Sequence, residues 1–117
     1  KFPRFAFQEL DLVKSTLPRA DAVLCRDCLV HLTYEQIRKA LHNILRSRSI
    51  YILITTFPEH ESNKDIRTGK WRSLNFQKPP FSFPKPVELI RENSHETGQA
   101  DKSLGLWKCA DIQKVLA

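Results

Sequence analysis

Asp21-Ala22-Val23-Leu24-Cys25-Arg26-Asp27-Cys28-Leu29-Val30-His31 is the stretch on which the reading of this chain turns. Its apolar run, Ala22 to Cys25, is bounded by the charges of Asp21 and Arg26, the pattern of a strand buried on both faces. Thr33-Tyr34-Glu35-Gln36 then opens a helix. The Thr33 side chain can accept from the amide three residues on while Gln36 reaches back, a capping box. Ile37, Ala40, Leu41, Ile44 and Leu45 follow on one face of a 3.6-residue period, and Arg46 and Arg48 suit the negative helix end. Ile50 to Phe57 is strongly β-branched and apolar, so it should be a central buried strand. Strand, helix, strand is a βαβ unit, which implies parallel strands and a right-handed crossover.

Outward from this unit, Phe5 to Leu12 is a short, partly alternating run that reads as a further strand, closed by the polar turn Lys14 to Thr16. On the other side, Pro58 to Pro86 is a long polar loop holding every proline except Pro3 and Pro18. Its aromatics Trp71, Phe76, Phe81 and Phe83 predict that it folds back onto the body. Pro86 to Glu92 and Leu104 to Cys109 read as two strands, joined through Asn93 to Ser103 as an antiparallel hairpin. The chain of 117 residues is thus a single α/β domain with a parallel part at 1–57, a Pro-rich loop at 58–86 and a hairpin at 87–112.

Hydrophobic residues make up 41% of the chain, enough for a packed core. No apolar stretch approaches the roughly 20 residues that span a bilayer, and no signal-peptide pattern is present. Lysine and arginine number 19 against 13 acids, net +6, but the cations are scattered. Scatter favours a solvated basic surface over a nucleic-acid face. Three cysteines at these spacings make no disulfide framework, and a reducing cytoplasm fits them best. Lys1 stands first where Met would, which we read as an internal piece or a processed start.

Cys25-Arg26-Asp27-Cys28 is a CxxC, with His31 close behind. Zinc needs further ligands, and the remaining cysteine, Cys109, is distant, so no metal is expected and packing is the favoured role. Ligands of open α/β sheets bind at the carboxyl ends of the strands, which makes Arg26, Asp27 and His31 site candidates. Local alternatives stand beside these roles: a loop cap for Asp27, a surface ion pair for Arg26, a packing role for His31. Asp11 could accept from an exocyclic amine or simply cap its turn. Gly69, Gly98 and Gly105 form no phosphate-cradling loop.

Leu10-Asp11-Leu12 with Leu17-Pro18-Arg19-Ala20-Asp21, through to Leu32, resembles class I S-adenosylmethionine-dependent methyltransferases, and within them a bacterial group of small-molecule-type or unassigned enzymes. Gly69-Lys70-Trp71-Arg72-Ser73-Leu74-Asn75, Pro79-Pro80-Phe81 and Asp101-Lys102-Ser103-Leu104-Gly105-Leu106-Trp107 add to the likeness, which covers about Phe5 to Ile112.

The resemblance implies an incomplete Rossmann-like sheet of order 3-2-1-4-5-7-6 whose first and second strands are missing. Phe5 to Leu12 would be the third strand, Ala22 to Cys25 the fourth, Ile50 to Thr56 the fifth, and the hairpin the sixth and seventh. It implies cofactor contacts from Asp11, Cys25 and Arg26, and an acid–base role for Asp27 or His31 toward the methyl acceptor. The 58–86 loop would cover the acceptor pocket. The expected function is a methyltransferase fragment for a small-molecule or unknown acceptor, inactive without its N-terminal half, which holds most of the S-adenosylmethionine. The fourth strand would be an edge, with Phe5 to Leu12 either paired against it or loose. The alternatives are a degenerate partner-binding α/β module and, behind it, a basic nucleic-acid-binding module.

Overall fold

Thr33 opens the helix that crosses from the first strand to the second, and it does so with the reciprocal cap its sequence predicts. The Thr33 hydroxyl accepts from the Gln36 amide at 3.1 Å, and the Gln36 side chain accepts from the Thr33 amide at 3.1 Å. The structure, a computed structural model, describes residues 4–116. The first three residues of the 1–57 segment lie outside them. Strand β1 (Ala22–Cys25) leads through a 3-10 turn (Leu29–His31) into helix α1 (Tyr34–Arg46), which returns to strand β2 (Tyr51–Thr56). After the long loop come strands β3 (Glu88–Arg91) and β4 (Ser103–Lys108), and then helix α2 (Cys109–Leu116).

The four strands form one mixed sheet of order β1-β2-β4-β3. β1 runs parallel to β2, with Val23 opposite Ile52 and Cys25 opposite Ile54. β4 is antiparallel to both neighbours, with Leu53 opposite Leu106 and Ile90 opposite Leu104. The α1 stripe Ile37, Ala40, Leu41 and Ile44 is buried against one face of this sheet together with Ile52, Ile54, Trp107 and Ile112. The 58–86 loop does fold back: Leu74, Phe76, Phe81 and Phe83 are buried in the same core, whereas Trp71 stays 43% exposed. Main-chain bonds hold the loop down, from the Phe57 amide to the Leu74 carbonyl at 2.8 Å and from the Phe83 amide to the Phe76 carbonyl at 2.8 Å. The Trp107 indole donates to the Pro84 carbonyl at 2.7 Å.

Three expectations need correction. Phe5 to Leu12 is not one of the strands of the sheet, and Phe7 is 79% exposed. A strand needs a neighbour, and here the chain turns instead, with Asp11 closing a tight loop to Ser15 while Leu12, Val13 and Leu17 pack on the core margin. β1 is also not buried on both faces, because Leu24 is 61% exposed. Alternation along the paired strands puts Leu24, Leu53 and Leu106 in one row on the face away from α1, with Leu104 and Ile90 beside them. Leu53, Leu104 and Leu106 are half-buried there, and Ile90 is exposed. Finally, the chain does not end in its hairpin. Cys109 leaves the ladder and starts α2, whose Asp111 and Lys114 suit the two helix poles and whose Ile112 is buried.

Gly105 sits where the ring of Trp107 crosses the strand. A Cβ there would overlap the indole, approaching its Cη2 to 2.6 Å. Gly105→Ala should therefore cost about 1–3 kcal/mol by overpacking, read as a lower urea midpoint at unchanged slope. An unchanged midpoint would show that the indole has room to move.

Candidate functional site

Polar side chains collect at the carboxyl end of β1 and β2. β1 ends at Cys25, and Asp27 then takes a left-handed conformation, φ 53°, which a non-glycine residue adopts at a cost. The Asp27 amide is held in place by donating to the Thr55 hydroxyl on buried β2 at 2.7 Å. Its carboxylate meets the Lys102 ammonium at 2.6 Å and the Arg26 guanidinium at 3.7 Å. Arg26 in turn binds Glu92 at 2.6 Å, with a hydrogen bond from its Nε at 2.8 Å. Glu92 and Lys102 are brought together by the base of the β3–β4 connection, where the Glu92 amide donates to the Lys102 carbonyl. The result is an alternating row Lys102–Asp27–Arg26–Glu92. The hydrogen bond and charge of Glu92, and then the charge of Asp27, raise the Arg26 guanidinium above its ordinary value. One buried oxygen of this row, Glu92 Oε2, has no hydrogen-bond partner in the protein.

Beside this row, β2 runs on into Phe57-Pro58-Glu59-His60. Asp101, buried just before β4, accepts from the Glu59 amide at 2.9 Å and from His60 Nδ1 at 3.0 Å. The imidazole stands edge-on to the Phe57 ring, which also meets the ring of Trp71. A shallow cleft of about 280 Å³ opens over Glu59, His60, Gly98, Ala100 and Asp101.

Arg72 fixes the loop to the passage behind Asp27. Its buried guanidinium donates to the carbonyls of Leu29, Val30 and Lys64 at 3.3, 3.0 and 3.1 Å and lies over the Tyr34 ring. Desolvation lowers its pKa; the protein carbonyls and ring stand in for part of the lost water, and Nη2 is buried with no hydrogen-bond partner in the protein.

The sequence-derived candidates separate in space. Arg26 and Asp27 are joined at the strand end. His31 faces the loop instead, with Nδ1 at 3.1 Å from the Lys70 carbonyl, and no hydrogen bond or ion pair links it to Asp27 among the described residues. Asp11 stands apart: its carboxylate accepts from the Val13 and Lys14 amides, the turn-capping role. The neighbouring Leu12 and Ser15 carbonyls are held by Asn43 near the C-terminal end of α1, which places this turn toward the amino edge of the sheet. Cys25 points into the core, and burial, with Cys28 beside it, pushes its thiol up to about 12. Burial also raises Cys28 and Cys109, so the CxxC offers a pair of neutral thiols at ordinary pH. No group of three or more potential metal-binding side chains converges among the described residues.

Thr55, His60 and Glu92 were not singled out by the sequence, and Asp101 and Lys102 entered only as part of the resemblance, with no site role. The one usable signal was position: His60 lies a few residues beyond a parallel strand, and Asp101-Lys102 immediately precede the next strand at the same edge. No family model, curated protein or solved structure matches the chain.

The raised Cys25 thiol gives folding a pH dependence of known sign. The folded state keeps its proton up to about 12 while the unfolded chain releases it near 9.0, so stability contributed by Cys25 is complete below 9.0 and is lost as pH rises toward 12. Urea midpoints at about pH 8 and about pH 10.5 should differ more in the wild type than in Cys25→Val. Equal differences would remove the buried thiol from the account. Thr55→Val should cost about 1–3 kcal/mol in the same assay, because it strips the acceptor from the Asp27 amide.

Proposed function

We propose that this chain is the C-terminal part of a class I S-adenosylmethionine-dependent methyltransferase domain, inactive by itself, whose carboxyl-edge residues line the acceptor side of the complete site. The observation that carries this reading is the strand order. β1-β2-β4-β3, with β4 antiparallel between two strands that run the same way, corresponds to the 4-5-7-6 portion of the sheet that the resemblance implies. The row Leu24, Leu53 and Leu106 adds support. A parallel sheet is ordinarily covered on both faces, and an N-terminal half carrying the first strands and their helices would cover this one.

The described residues fit the two sides of such a site unequally. On the acceptor side, Asp27, Arg26, Lys102, Glu92 and His60 stand together at the strand ends, with Trp71 offering an exposed ring. The cofactor side does not fit within this chain, since Asp11 is engaged in its own turn and Cys25 points inward. We therefore assign the cofactor to the N-terminal half. S-adenosylmethionine, when bound, supplies an electrophilic methyl group, and the work left to this chain is to orient the acceptor, exclude water and manage its proton. Lys102 and Arg26 both pair with Asp27, which suits that carboxylate to holding Arg26 and the strand end in place.

A second reading, a partner-binding α/β module, rests on the same open face and on the free edge of β1, which any strand-donating partner could use. A soluble cytoplasmic setting belongs to both readings. Among the described residues no helix is long and apolar enough to cross a membrane.

Calorimetric titration separates these readings. The 117-residue chain should show no low-micromolar binding of S-adenosylmethionine, and the protein expressed from a reading frame that includes the upstream half should bind it. Tight binding by the chain alone would refute its inactivity. An upstream half without a Gly-rich strand-to-helix turn, or without cofactor binding, would refute the methyltransferase reading.

A further inference from the structure

We infer that the cleft between α1 and α2 binds a phosphate monoester with a compact apolar body, held by Arg46, Arg48 and His42 against Leu45 and Leu116. The cleft lies toward the edge of the sheet where β2 begins, opposite to the edge that carries Asp27 and His60, and the inference does not depend on the methyltransferase reading.

Three observations carry it. The cleft holds about 500 Å³, the size of a small organic ligand and far more than a bare inorganic anion fills. Its lining is Arg46, Arg48, His42 and Gln113 around Leu45 and Leu116, with no acidic residue among them. Next, the cations are unengaged: no ion pair or side-chain hydrogen bond holds Arg46, Arg48 or His42 among the described residues. Capping the helix does not occupy them, since the Ser47 amide already donates to the Asn43 and Ile44 carbonyls and the Arg48 amide to that of Leu45. Their two guanidinium charges also outweigh the roughly half charge of the helix end. Last, Arg48 takes a left-handed conformation, φ 62°, at the residue after the C-cap of α1, where glycine is the ordinary occupant. The backbone cost is borne where glycine would fold at least as well, by a residue whose side chain lines the cleft.

The ligand class follows from this lining. Two guanidiniums line one cleft, each a planar fork of N–H donors, and a phosphate monoester has three terminal oxygens and close to two negative charges to give them. A carboxylate has two oxygens and one charge, which a single guanidinium already satisfies. The His42 ring adds a further N–H donor. Leu45 and Leu116 would stay wet beneath a free phosphate, whereas an ester lays its apolar body on them. Gln113 supplies one amide for a polar edge of that body.

An NMR titration of the 117-residue chain at about pH 7.5, with phenyl phosphate as the probe, tests this. Binding should move the amide signals of residues 42–48 and 113–116. Phenyl phosphate should bind about tenfold tighter than inorganic phosphate, which lacks the ring, and than benzoate, which lacks the second charge. Arg48→Gly should weaken phenyl phosphate about tenfold while the urea midpoint holds or rises, because glycine suits the left-handed backbone. Arg46→Gln should weaken it to a similar extent. Unchanged affinity in either variant, no shift at these amides, or inorganic phosphate or benzoate binding as tightly as the ester would overturn the proposal. So would a single-stranded RNA that binds the same face at least about tenfold tighter with a steep salt dependence, which would make the cleft part of a nucleic-acid surface.

Discussion

Two parallel strands can be joined only by a crossover that travels over one face of their sheet, and this constraint organises the molecule. α1 makes that crossing from the end of β1 to the start of β2, so its apolar stripe and the aromatic loop residues pack on one face. Both strands then end at the same edge. Whatever follows each of them is delivered there: Arg26 and Asp27 after β1, Glu59 and His60 after β2. β4, antiparallel, starts at this edge and brings Asp101 and Lys102 to it from the opposite chain direction. Residues far apart in sequence thus meet because the topology leaves them no other place.

The same constraint explains how the edge is held. A left-handed Asp27 needs outside support, and it comes from the Thr55 hydroxyl on the neighbouring strand and the Lys102 ammonium on the next. Arg72 braces the passage from behind through the Leu29 and Val30 carbonyls and ties it to the loop through that of Lys64, a fixed fork that a lysine could not reproduce. The loop is therefore part of the wall of the site as well as part of the core. On the other face of the sheet the crossover offers nothing, and the Leu24, Leu53 and Leu106 row stays open.

What the sequence made legible was whatever depends on near neighbours. The Thr33–Gln36 cap, the α1 stripe and the apolar run of β2 are local patterns, and the structure reproduces them within a residue or two. Phe5 to Leu12 failed because alternation describes half of a strand pair, and the sheet is built from other segments. α2 was hidden because its short stretch continues directly from β4, so no turn residue marks the change of period. In the site, Arg26 and Asp27 were visible from their position after an obvious strand. His60 and Asp101 are 41 residues apart, and only the placement of β4 beside β2 joins them.

As proposed above, this chain would be one half of a sheet whose open edge and open face another half covers. Amide hydrogen exchange along β1 tests it most directly, comparing the isolated chain with the protein that carries the upstream half. The account predicts fast exchange at Ala22–Cys25 in the isolated chain, slowed at least about 100-fold once a strand is added at the free edge. Exchange that is equally slow in both would contradict it, because β1 would then need no neighbour beyond β2.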